Sequence, residues 1–202
     1  MIKLLHKYSH LEVQSLHGLG KEEAMNITVY LGASFGTDPA LKAAVKELGT
    51  WIAESGNRLV YGGSDEGLMG VLADSVMDAG GPVTGVETQF FIDEGVGHDH
   101  LTELIVTDGM PARKCKMKEL GDAFIAFPGG TGTLEEISEV LSDSALKFLT
   151  APCIIYNLNG YYDGLKELLH HMLEMGMSTE EKQRNVYFAS NLEEIKEIIG
   201  RI

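Results

Sequence analysis

From Ile27 onward the spacing of apolar positions switches repeatedly between two periods. Short runs rich in β-branched residues, "ITVYLGAS", "RLVYGG", "PVTGVE", "ELIVTD", "AFIAFPGG", "PCIIYN" and "NVYFA", read as strands. Between them lie stretches with helical spacing. The first is "DPALKAAVKELGTWIAES", with Asp38 as N-cap and Pro39 at its first position. The others run from Gly67 to Ala79, through "MPARKCKMKELG" to a glycine stop, from Thr133 to about Lys147, from Tyr162 to about Met175 and from Leu192 to Ile199. The run "AFIAFPGG" has no polar face and needs burial on both sides. This alternation predicts an α/β fold, a doubly wound parallel sheet with helices on both faces. Residues 1–26 fall outside the alternation and read as an N-terminal extension to a domain spanning 27–202. They contain His6, His10 and His17, whose spacing matches no zinc pattern.

Composition narrows the function classes. The chain has 202 residues, 44% of them apolar, enough for one sizeable core and a single domain. No apolar run approaches the roughly 18 residues of a membrane span, and the apolar part of "MIKLLHKYSHLEVQ" is too short for a signal peptide. A cytoplasmic protein is expected. Cys115 and Cys153 form no C-x-x-C pair, so neither a disulfide framework nor a structural zinc site is indicated. The formal net charge of −14 disfavours nucleic acid and anionic membranes as partners. An anionic ligand must then be held by local dipoles and a few cations. Against this background "RKCKMK" places Arg113, Lys114, Lys116 and Lys118 together.

In open α/β sheets ligands bind beyond the carboxyl ends of strands, and glycine-rich chemistry is concentrated there: "LGASFG", "YGGSDEGLMG", "VTDGMPARK" and "FPGGTGT". In "PGGTGT", Gly129, Gly130 and Gly132 remove side chains that would hold an oxyanion away from the backbone amides. Those amides converge at the start of the next helix, and Thr131 and Thr133 can add hydroxyl donors. This is a candidate phosphate cradle; the plainer alternative is a tight turn with no ligand. No G-K-[ST] follows, so it is not a P-loop, and the first strand lacks the G-x-G-x-x-G of a dinucleotide site. The second strand ends in Tyr61, Gly62 and Gly63, where a nicotinamide cofactor's ribose would want an acid. Gly62 and Gly63 are expected to leave room for a ligand, with Gly67 and Gly70 starting a helix tightly against the sheet.

On the helix of "MPARKCKMKEL", Arg113, Met117 and Leu120 share the apolar face, Lys114 and Lys118 lie beside it, and Lys116 is solvated. An arginine aimed at a strand-end crevice suits phosphate or carboxylate. Glu135 and Glu136 are expected in the first turn of the helix after the cradle. Successive residues there differ by about 100°, so one of the two faces the crevice. Glu136 is the one beside whatever the phosphate carries.

Together "YGGSDEGLMG", "MPARK" and "PGGTGTLEE" resemble the LONELY GUY family of cytokinin riboside 5′-monophosphate phosphoribohydrolases, historically described as lysine decarboxylases. The resemblance covers about Ile27 to Ile199 and tapers after Thr150. It implies a Rossmann-like fold, a homodimer whose subunits both contribute to the site, and a nucleoside 5′-monophosphate as substrate. The implied reaction is hydrolysis of the N-glycosidic bond, giving a free base and ribose 5-phosphate, with no cofactor and no metal. The family's catalytic pair maps onto Arg113 and Glu136 and its phosphate site onto Gly129, Gly130, Thr131, Gly132 and Thr133. Gly32, Ser34, Gly62, Gly63, Gly67, Met110 and Lys114 are implied to bind substrate. Departures from the family pattern are "LGAS" in the first strand, Ser64 in place of a third glycine and a helix "SEVLSDSALKF" without tryptophan. They fall around the base pocket.

The implied chemistry suits the residues. Breaking the bond to C1′ builds positive charge on the ribose; an anionic Glu136, kept ionised by the helix N-terminus, would stabilise that charge or position the attacking water, and Arg113 would orient Glu136 and the substrate or help the departing base accept negative charge. A non-catalytic nucleotide or cofactor carrier on the same fold is the competing expectation. Lysine decarboxylation is not expected: it needs a lysine Schiff base to pyridoxal phosphate, and Lys114, the one lysine near the crevice, has no recognisable pyridinium partner.

Overall fold

A computed structural model describes residues 24–201; the N-terminal extension, with its three histidines, lies outside the described residues except for its last three positions. Seven strands form one sheet: β1 (Asn26–Tyr30), β2 (Arg58–Tyr61), β3 (Val83–Thr88), β4 (Glu103–Thr107), β5 (Ala123–Ala126), β6 (Cys153–Tyr156) and β7 (Val186–Ala189). Their order is β4-β3-β2-β1-β5-β6-β7, and every neighbouring pair is parallel. The helices are α1 (Pro39–Glu54), α2 (Gly67–Asp78), α3 (Gln89–Asp93), α4 (Gly109–Leu120), α5 (Thr131–Ala145), α6 (Asp163–Glu174), α7 (Glu180–Gln183) and α8 (Leu192–Ile199). This is the expected single-domain, doubly wound α/β fold.

The strands alternate side chains between two cores. Ile27, Val29, Leu59, Tyr61, Ala123, Ile125 and Ile154 pack with α1, α2 and α8 on one face. Val60, Phe124, Ala126, Cys153 and Ile155 pack with Met117, Ile137 and Val140 of α4 and α5 on the other. Residues i and i+2 of a strand share a face, so strands buried on both sides need the continuous apolar runs seen in the sequence. Asp38 caps α1 as expected, its Oδ1 accepting the Ala40 N–H at 2.8 Å.

Two short helices, α3 and α7, were not expected. At 5 and 4 residues they are below the length at which an isolated helix holds itself, and they depend on the surrounding structure. One other boundary matters for function. Helix α5 begins at Thr131, two residues before the expected Thr133, which places Glu135 and Glu136 in its second turn.

Strand order reverses between β1 and β5. Sequential strands run outward from β1 to the β4 edge, then α4 carries the chain back across the sheet to β5. The carboxyl ends of β1 and β5 thereby diverge into separate connections and open a crevice.

Candidate active site

At that crevice lies a cavity of about 350 Å³, within the size range of small-molecule sites. Its walls come from the ends of β1, β2 and β3, from the start of α5 and from α4. Gly32 donates its N–H to the Pro128 carbonyl at 3.3 Å, tying the β1 loop to the β5 loop. The two backbones touch: a Cβ on Gly32 would stand 3.3 Å from Gly129 Cα. Gly129 has no room for a side chain either, because a Cβ would strike Thr133 Oγ1 and stand 2.8 Å from the Gly32 nitrogen. Two tyrosines unremarked in the sequence hold the loop from behind. Tyr161 Oη donates to the Gly129 carbonyl at 2.5 Å and Tyr162 Oη to the Phe127 carbonyl at 2.9 Å.

The loop delivers a bare helix end. Gly130 is the N-cap of α5 and supplies no side-chain cap, and the first backbone bond runs from the Leu134 N–H to the Gly130 carbonyl at 3.1 Å. The amides of Thr131, Gly132 and Thr133 therefore have no partner within the helix. All three residues line the cavity with Gly130, and a Cβ on Gly130 or Gly132 would meet open space. Partial positive charge at this end favours an anion.

Arg113 projects from the first turns of α4 and is 7% exposed. As the helical spacing predicted, it shares the buried face with Met117. Its Nε donates to the Val86 carbonyl at 2.9 Å, Nη2 to the Gly62 carbonyl at 3.0 Å and Nη1 to Glu136 Oε1 at 3.1 Å. Glu87 Oε1, at the end of β3, is 3.2 Å from Nε. Gly62 was expected to make room for a ligand; it makes room for this guanidinium, since a Cβ there would collide with Arg113 Nη2.

The Glu136 side chain is 11% exposed against 59% for Glu135. Both border the cavity, but only Glu136 meets Arg113. The expectation that the helix N-terminus keeps Glu136 ionised needs correcting. Burial pushes its pKa up from the ordinary 4.5 to about 7, and Arg113 opposes that shift only in part. Burial also raises Glu87, against the pull of Arg113 and of the Thr88 N–H. Glu87 had not been singled out, although an acid ending a strand buried on both faces is a signal that could have found it.

The remaining expected residues divide. Met110 lines the cavity with Met69, Phe91 and Val96, an apolar wall beyond the arginine. Gly63 packs on Glu87, where a Cβ would stand 3.1 Å from the Glu87 Cβ, and Gly67 packs against the Ala33 carbonyl, so neither forms part of the wall. Ser34 is exposed and also outside it. Lys114 turns away to α5, its Nζ 2.5 Å from Glu135 and 3.5 Å from Glu139. His98, on the loop after α3, is buried; its Nε2 lies 3.1 Å from Asp74 and its Nδ1 accepts the His100 N–H. It clasps the loop after α3 to α2.

Comparison with known proteins bears on the family of the chain. Residues 69–199 match the family described as possible lysine decarboxylase. A cytokinin riboside 5′-monophosphate phosphoribohydrolase of Rhodococcoides fascians is 42% identical over 83% of this chain and 85% of its own. The LOG enzyme of that name from Oryza sativa subsp. japonica is 35% identical over 84% of this chain and 70% of its own. Among solved structures, a molybdenum cofactor binding protein from Rippkaea orientalis superposes with a TM-score of 0.66 at 25% identity, covering 89% of this chain and 98% of that one. The match to the family, the identity to its curated members and the shared fold lead to one statement: this chain belongs to the possible lysine decarboxylase family, together with the cytokinin riboside 5′-monophosphate phosphoribohydrolases.

Proposed function

We propose that the protein hydrolyses the N-glycosidic bond of a nucleoside 5′-monophosphate, AMP or an N6-modified AMP, to the free base and ribose 5-phosphate. One observation carries the reading: a buried carboxylate held by arginine stands one helical turn from an uncapped helix end in the same cavity. A pure binder of phosphate gains nothing from an acid so close to the anion, whereas cleavage at C1′ needs one. The activity printed in the names of the curated relatives supports the same assignment.

The first amides of α5, with Gly129 shaping the loop and Thr131 and Thr133 beside it, hold the 5′-phosphate. The phosphate is not cleaved; its binding energy positions the sugar. Ribose C1′ then lies near Glu136, and the base extends toward Met69, Phe91, Val96 and Met110. As the C1′–N bond breaks, the ionised Glu136 stabilises the positive ribose and takes a proton from the attacking water. The water oxygen forms the new bond to C1′, and the proton held by Glu136 passes to the departing base. Arg113, fixed by two backbone carbonyls, aims its remaining nitrogen at Glu136 and orients the carboxylate.

The test is incubation with AMP and with isopentenyl-AMP, followed by chromatography for free base and ribose 5-phosphate. Release is expected, with a loss of about 100-fold or more in Glu136→Gln, the scale of a general base. Undiminished hydrolysis in that variant would remove the role given to the carboxylate. Tight binding of several monophosphates without turnover would favour the carrier alternative.

The proposal includes a homodimer acting in the cytoplasm. Exposed Phe90, Leu104, Val106 and Met110, on α3, the β4 edge and the start of α4, supply an apolar surface that a second copy could cover. Two free cysteines suit a reducing compartment, which fractionation of the source cells would check.

A further inference from the structure

Glu87 is the buried acid of the cavity that the glycosidic step leaves unused. It is 2% exposed at the carboxyl end of β3 and lines the same walls as Arg113 and Glu136. Its Oε1 accepts the Thr88 N–H at 2.7 Å and lies 3.2 Å from Arg113 Nε. Glu136 uses a different nitrogen of the same guanidinium, Nη1, at 3.1 Å. One cation therefore serves two carboxylates, each nearly out of water. Burying an ionised carboxylate without full compensation is strongly unfavourable, and a single arginine cannot fully compensate both.

We propose that Glu87 is a positioning residue for the glycosidic step: it pins Arg113 through Nε and, by drawing on the same positive charge, governs how readily Glu136 holds a proton. The geometry of β3 makes this possible. Val86 offers its carbonyl to Nε at 2.9 Å, and the next side chain flanks that nitrogen. With the Gly62 carbonyl on Nη2, the guanidinium is held by β3 and the residue that follows β2, and Nη1 is the nitrogen that reaches α5. Other titratable groups surround the two acids: Lys114 on α4, Glu135 on α5 and Tyr30 on β1 lie near Glu136, Tyr61 on β2 lies near Glu87, and Glu66 lines the same cavity, while Asp65 and Asp74 are beyond Tyr61 and Glu139 is beyond Tyr30. Among the described residues only Arg113 is a cation within ion-pair distance of both Glu87 and Glu136. Burial drives both carboxyls upward and Arg113 opposes the shift at each; the case for competition rests on the two carboxylates meeting one guanidinium.

The part played in turnover rests on the function proposed above; the shared cation does not. The experiment therefore has a readout that needs no activity, the titration of glutamate side-chain carboxyls by carbon-13 NMR in the complete protein. In Glu87→Gln, which keeps shape but not charge, the Glu136 midpoint should fall by about one pH unit, the scale of a neighbouring charge. Glu136→Gln should lower the Glu87 midpoint by the same amount, because coupling is reciprocal. In the unsubstituted protein both signals should titrate in two steps. That last measurement needs no variant to fold. Independent one-step curves, or a Glu136 midpoint that does not move in Glu87→Gln, would overturn the proposal.

For turnover, the acid limb of kcat/KM should move to lower pH in Glu87→Gln by the same amount as the NMR midpoint. An unmoved limb beside a moved midpoint would overturn the link to turnover and point to an error in the role of Glu136. The charge sharing itself would stand.

Discussion

Two effects compete at Glu136. The positive end of α5 and the Arg113 guanidinium favour the carboxylate, and removal from water favours the acid; burial is the larger and brings the group to about 7. The ionised form is the one that takes a proton from water, so kcat/KM should rise as pH climbs through about 7. A pH profile on the unsubstituted protein measures this; a limb near the ordinary 4.5 would mean that water reaches the carboxylate and burial does not control it. The sign for stability is opposite. The folded protein holds this proton more tightly than the unfolded chain, so the group's contribution to stability declines as pH rises from 4.5 toward 7. Gly62 is the second decisive residue. A methyl group there meets Arg113 Nη2, and overpacking of a buried site usually destabilises by about 1–3 kcal/mol. Gly62→Ala should lower the melting temperature and reduce kcat more than tenfold, because the guanidinium must leave Glu136. Thermal unfolding and steady-state kinetics on the same preparation test both. The glycines at Gly62 and Gly63 were plain in the sequence, but their neighbour was not: Arg113 is 51 residues away in the chain, and a motif does not name the group that approaches it.

At the scale of elements, the register between α4 and α5 decides whether Arg113 meets Glu136. Lys114 and Lys118 are four residues apart on α4 and face Glu135, Glu139 and Asp143 at matching intervals on α5. Lys118 is 2.6 Å from Asp143 and 3.7 Å from Glu139, and Lys114 is 2.5 Å from Glu135. A shift by one helical turn would still leave lysine facing acid along this ladder, but it would carry Arg113 past the Glu136 carboxylate. The pairs are partly exposed, so the coupling expected from a double-mutant cycle on Lys118→Ala and Asp143→Ala is about 0.5–1 kcal/mol. A coupling indistinguishable from zero would leave the register to Met117, Ile137 and Val140 alone. The face that Arg113 shares with Met117 could be read from helical spacing. The destination of Lys114 could not, because it depends on which helix packs beside α4, and periodicity is silent on that.

For the whole molecule, strand order is the controlling fact. The return from β4 to β5 brings the ends of β1, β2, β3 and β5 together and leaves β4 at the edge of the sheet. An edge strand with exposed Leu104 and Val106 is a surface that native proteins usually cover. Equilibrium sedimentation should accordingly give about twice the mass of one chain, and replacing Leu104 and Val106 with charged residues should return it to one. A single-chain mass for the unsubstituted protein would remove the homodimer. The formal charge of −14 makes the uncapped end of α5 the more telling, since the overall field works against an anion and only local dipoles and Arg113 work for it.

The sequence by itself determined the seven strands and the longer helices, the burial of β5 on both faces, the glycine run that follows it and the side of α4 that carries Arg113. Each depends on side-chain periodicity or turn chemistry, which act over a few neighbouring residues. Only the tertiary structure decided the strand order, the convergence of Glu87 and Glu136 on one arginine, the use of Gly62 as its seat and the proton affinity of Glu136. Burial and Coulomb interaction depend on distance in space, and residues 23 to 51 positions apart come within bonding distance only when the sheet is assembled.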